Sequence, residues 1–190
     1  MAILILGLII FLGVHSVRIV APDFRDRQIA ARGPGAWRGI FSLVSLIGFV
    51  LIVWGYWLVW PTAPILYEPP VWMKHLNIVL MPFALIFVVA SQLPAGRIKA
   101  TLKHPMLVGV KIWALGHLLA NGDLAALLLF GSFLAWAVAD RIAARKRGDS
   151  GPAPGPVKWD GFAVAIGLGL YLLFVWRLHL WLFGVPAIAA

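Results

Sequence analysis

The sequence predicts an all-α fold, a polytopic transmembrane helix bundle of about six spans with both termini on the periplasmic side. Three observations predict it. The 190 residues are 62% hydrophobic, where soluble domains sit near ~45–50%. The apolar residues gather into runs long enough to cross a hydrocarbon core about 30 Å thick, which takes ~20 helical residues. The basic residues cluster between alternate runs rather than in one patch, as they do in cytoplasmic loops. The chain therefore reads as one membrane domain over residues 1–190 of a bacterial inner-membrane protein, with the bilayer as its first partner.

The spans follow in order: 2–20, 37–60, 72–93, 104–120, 124–141 and 161–183. Met1–Val14 has no basic stretch and no small-residue cleavage site, so the first run reads as a retained span and not a signal peptide. Pro82 lies mid-way in the third span, where a missing N–H and a ring clash predict a kink. Asn121-Gly122-Asp123 is a tight turn that makes the fourth and fifth spans an antiparallel hairpin.

The loops set the orientation. Val20–Ala36 reads as a basic loop with Arg25, Arg27 and Arg32; Pro94–Lys103 holds Arg97, Lys99 and Lys103. Beyond Ala139 come Arg141, Arg145, Lys146, Arg147 and Lys158, around a Gly- and Pro-rich stretch that reads as a flexible cytoplasmic linker over 145–158. The other two loops carry no Lys or Arg. Trp54, Trp57, Trp60, Trp72, Trp176 and Trp181 fall at the opposite ends of their spans, as an aromatic belt at the outer interface.

The net charge of +9 is spread over these loops, and no nucleic-acid partner is predicted. The absence of cysteine excludes disulfides, thiolate metal sites, iron–sulfur clusters and covalent c-type haem attachment.

The candidate functional residues are ionisable groups in or beside the spans, where they are costly and usually line a cavity or cofactor. They are His15, His75, His104, Lys111, His117, Arg177 and His179. His104 and His117 are thirteen positions apart, so they differ by about 20 Å in height and ~140° in direction and cannot share one metal. Lys111, Arg177 and His179 read equally as snorkelling side chains, His75 as interfacial beside Trp72, and His104 as a helix cap before Pro105. His15 and His117 lie deep. The chemistry that best fits two deep imidazoles on two helices is axial ligation of b-type haem in an apolar slot. Gly13, Gly109 and Gly116 would let a flat macrocycle approach the backbone. A proton relay uses the same residues.

Two stretches carry a family resemblance: GVHSVRIVAPDFRDRQIAARGPGAWRGIFSLVSL, and HPMLVGVKIWALGHLLANGD on the fourth span. Together they resemble the NnrU family of bacterial membrane proteins, over essentially the whole chain. The resemblance implies an association with denitrification and nitric oxide handling. Through a plant relative, a ζ-carotene isomerase, it also implies haem b with two axial histidines and redox-gated isomerisation of an apolar polyene or lipid. By motif those ligands fall on His15 and His117, and His104 matches a further family histidine. His15 with His104 is the rival pair by depth.

Other readings are a non-catalytic haem or nitric-oxide-responsive accessory protein, a transporter built on Lys111, Arg177 and the histidines, and a S-adenosylmethionine-dependent methyltransferase. For the last, the HPxxxG-like segment is similar to isoprenylcysteine-type enzymes, but their paired acidic motif is replaced by Asp140 alone.

Overall fold

The computed structural model describes residues 1–188. They are helical, with no strand among the described residues and one isolated bridge, Ile65 to Asp123. In chain order come α1 (Ala2–Val20), α2 (Pro22–Val59), a 3₁₀ turn at Trp60–Thr62 and α3 (Val71–Gln92). Then come α4 (Arg97–Leu102), α5 (Pro105–Ala120), α6 (Leu124–Lys146), α7 (Lys158–Leu173), a π-helical turn at Phe174–Leu178 and α8 (His179–Phe183). Five helices are long and apolar enough to cross a membrane, and α5, at sixteen residues, is shorter; it reaches ~24 Å against a core of about 30 Å.

One expectation needs correction. The basic stretch 20–36 is not a loop: Pro22–Arg32 is helical and continues into the second span, with the backbone broken only at Gly33, φ 80° and ψ 157°. Pro22 suits a first helical turn, and only glycine takes such a φ freely. Charge disguised this helix as a loop. Pro82 lies inside the continuous helix α3. Elsewhere the predicted spans and the helices agree to within a few residues, α6 running five residues further.

The chain forms two compact units, Met1–Pro64 and Ile65–Ala190. In the first, α1 and α2 pack antiparallel through small residues. A Cβ on Gly7 would stand 2.6 Å from Ile52 N, one on Gly48 would stand 2.7 Å from Phe11 N, and Gly55 lies against the Leu4 backbone. As α1 advances its partner on α2 recedes, which fixes the register. Close backbone approach at small residues is how helices associate where lipid removes the hydrophobic drive.

In the second unit, α5 packs on α3 and α6, and α7 packs on α3. Gly109 sits on Ala84 and Val88, Gly116 on Asn77 and Met81, and Gly167 on Ile86. Asp160 of α7 accepts from the N–H groups of Arg97 (2.9 Å) and Ile98 (3.0 Å). It thereby caps α4 from another helix, and satisfies two donors that a helix start leaves orphaned. Lys99 Nζ donates to the carbonyls of Ser91 and Leu93, each at 2.8 Å, doing the same for the end of α3.

Candidate functional site

His117 stands in the last turn of α5, half-buried. Its Nδ1 lies 2.8 Å from the Trp113 carbonyl one turn earlier. A carbonyl only accepts, so Nδ1 holds the proton and the neutral ring keeps its lone pair on Nε2. Phe130 of α6 stacks on the imidazole, 4.5 Å between centroids at 23°. Trp113 closes the same wall, with Phe130 at 4.9 Å and Phe133 at 5.3 Å edge-on to it. The i−4 spacing of Trp113 and His117 stacks them on one helix face, and the hairpin turn brings Phe130 opposite.

His179 lies beside His117, ring centroids 6.4 Å apart and planes 13° from parallel. It opens α8, directly after the π-helical turn. Its Nδ1 donates to the Val185 carbonyl at 2.7 Å, again leaving the lone pair on Nε2. Gly184, φ 74°, ends the helix in the left-handed region and turns that carbonyl back toward the ring, the usual service of a glycine past a helix end. Phe183 flanks His179 at 5.1 Å.

The same end of this unit is clamped by the segment before α3. The Tyr67 hydroxyl bonds the carbonyls of Leu118 and Asn121, the latter at 3.0 Å. Leu66 and Tyr67 N–H groups both donate to Gly122 O. Asn121 Nδ2 donates to His117 O at 2.9 Å, and Asp123 caps α6 through Ala126 N at 2.9 Å. The Asn-Gly-Asp turn thus holds the hairpin that carries His117.

The remaining candidates are dispersed. His15, in the first unit, is half-buried on α1. Its Nδ1 donates to Phe11 O at 2.6 Å, Phe11 stacks on it at 4.2 Å, and Phe41 meets it edge-on at 4.9 Å. His104 occupies the N-cap position of α5, but its side chain caps nothing. Its Nε2 lies instead 3.4 Å from Asp149 O and 3.9 Å from Asp149 Oδ1. Its N–H bonds Leu102 O at 2.7 Å across Lys103, φ 62° and ψ −49°, a strained γ-turn. Lys111 is half-buried on α5, and His75 and Arg177 are exposed, as interfacial or snorkelling groups are.

Two of the three glycines expected beside a macrocycle lie against α3. Gly109 and Gly116 admit α3, and a Cβ on Gly13 would meet nothing within 4 Å. Sequence reasoning did not single out Trp113, Phe130, Tyr67 or Asp149. Of these, only the aromatic wall left a signal, in the WxxxH spacing.

Among the described residues no group of three or more His, Asp or Glu side chains could hold a metal ion. A backbone-anchored imidazole with a free Nε2 has the form of a metal-ligating histidine.

A family model described as NnrU protein matches residues 3–187. No curated protein and no solved structure matches the chain.

Proposed function

The chain belongs to the NnrU protein family, and on that premise we propose that it is an integral membrane protein that binds haem b with His117 as an axial ligand. The observation that carries this is the bond from His117 Nδ1 to Trp113 O, 2.8 Å. It fixes the tautomer and leaves the Nε2 lone pair free for a metal, as the outer partners of metal-bound histidines do. His15, a ligand candidate by the family motif, has the same anchoring on Phe11 O.

Haem held at His117 would supply a redox-active iron able to bind a diatomic gas or polarise a polyene. The residues do the rest. Trp113, Phe130 and Phe133 exclude water from one side of His117, and Tyr67 with Asn121 holds the helix end at fixed height. The large apolar exposed surface of the helices, Trp176 and Trp181 among it, is open to lipid. It suits an apolar substrate delivered from the bilayer, and the activity we assign is redox-gated isomerisation of such a polyene. A role in nitric oxide handling during denitrification uses the same iron.

The test is the visible spectrum of the purified full chain expressed with haem supplied. A Soret band is expected, lost or converted to a high-spin form in His117→Ala. A featureless spectrum sinks the reading. With haem present, isomerisation is checked by adding a cis-polyene to the reduced protein in liposomes and resolving products by chromatography.

A further inference from the structure

We propose that the side chains of Arg97, which opens α4, and Lys158, which opens α7, form a headgroup site for an anionic phospholipid whose acyl chain lies along the exposed side of α7. The inference is independent of the haem reading.

Backbone contacts bring the two cations to one place. Asp160 of α7 accepts from the N–H groups of Arg97 and Ile98, at 2.9 Å and 3.0 Å, which seats the start of α4 beside the first turn of α7. Gly155 lies on the Ala95 backbone and Gly151 on Lys103, so the Gly- and Pro-rich segment before α7 is fastened at both ends of α4. All of these residues belong to the same compact unit.

The charge there is uncompensated, because the acidic residues at this end are committed elsewhere. Asp140 pairs with Arg147 at 3.8 Å, Asp149 faces His104 at 3.9 Å, and Asp160 is held by the α4 amides. Arg97 and Lys158 are exposed, and among the described residues neither side chain has an ion-pair partner. The Lys158 ammonium rests instead over the Trp159 ring, 5.2 Å from its centroid, and Trp159 meets Phe162 at 5.8 Å. The basic start of α2 differs, for Arg25 there has Asp26 at 2.8 Å.

The neighbouring surface favours a lipid over a soluble acidic partner. Lys158, Phe162 and Ile166 follow at i, i+4 and i+8 on one side of α7, over a rise of ~12 Å. Phe162 and Ile166 are 51% and 45% exposed. A cation at the helix start with an apolar strip running away from it matches a phosphate and the chain attached to it. A water-soluble acidic partner would leave the strip unused. Tryptophan beside the cation is what the membrane–water interface selects, and basic residues at that level attract anionic headgroups.

The experiment is native mass spectrometry of the full-length protein released from micelles containing equal phosphatidylglycerol and phosphatidylcholine. The wild type should retain phosphatidylglycerol preferentially. Arg97→Gln combined with Lys158→Gln should cut that preference about tenfold or more, since each cation near an anionic surface contributes about fivefold. The double variant keeps the backbone N–H that Asp160 holds, so its thermal midpoint in detergent should not move. Arg97→Lys should keep the preference, as should Arg25→Gln combined with Arg27→Gln, which removes the same formal charge from α2. Millimolar glycerol 3-phosphate, a headgroup without a chain, should not displace the lipid. No preference in the wild type overturns the proposal. Equal losses in the two double variants overturn it in favour of a diffuse charge effect, and displacement by glycerol 3-phosphate overturns it in favour of a soluble anion.

Discussion

His15 and His117 are held by the same local device and differ in their company. Each donates Nδ1 to the carbonyl four residues earlier, and each has a phenylalanine stacked on its face. His15 takes its stacking ring from its own helix and an edge-on ring from α2. His117 takes its ring from α6 and has a second imidazole beside it. The anchoring thus needs only the histidine's own helix. The pairing needs more, the π-helical turn and Gly184 that bring in a residue sixty-two positions away.

The comparison breaks most sharply through the glycines. Gly48→Leu would drive a side chain into the Phe11 backbone, 2.7 Å from its N, and Phe11 is both the acceptor and the stacking partner of His15. Backbone cannot yield as a side chain can, so a loss of ~3 kcal/mol or more is expected, read as a fall in thermal midpoint in detergent. Gly13→Leu is the control, with open space around it and no shift expected. Gly116→Leu makes the equivalent change beside His117, but meets the ends of Asn77 and Met81, which can move. About 1–3 kcal/mol is expected there. A larger loss at Gly116 than at Gly48 would reverse the ranking.

Asp123→Ala comes next. It removes the cap on Ala126 N, and a lost N-cap costs ~1 kcal/mol. Asp160→Ala releases two amides of α4 at a similar cost, at the other end of the unit. If the two variants shift the midpoint alike but only Asp123→Ala alters the spectrum of bound haem, the hairpin turn is part of the His117 site. Equal spectral effects would remove that distinction.

The unequal legibility of the two histidines has the same origin. Helices could be read from apolar runs because membrane solvent forces every backbone group into local pairing. The turn at Asn121–Asp123 could be read from its residue types. Pro22–Arg32 could not, since five charged residues in eleven resemble a loop to any hydropathy measure. His15 and His117 stood out because they lie deep in their spans. His179 did not, because its depth alone fits snorkelling, and its place beside His117 is a long-range contact with no periodicity in sequence. Tyr67 was silent for the same reason: its hydrogen bonds cross more than fifty residues.

Tyr67→Phe is the smallest change and the most local. It deletes one hydroxyl and leaves the ring, so the carbonyls of Leu118 and Asn121 lose a donor while packing is kept. A typical hydrogen bond contributes ~0.5–1.5 kcal/mol net, and because Tyr67 is exposed, water replaces part of it. The stability loss should sit at the low end of that range. Amide hydrogen exchange resolves it better than a midpoint. Exchange should quicken at residues 118–122, which the hydroxyl and its strand-like neighbours hold, and stay unchanged at residues 12–18 around His15. Equal acceleration at both histidines would mean that the clamp serves the whole chain and not the His117 end. No acceleration at either would mean that the Leu66 and Tyr67 amides on Gly122 O hold the turn without the hydroxyl.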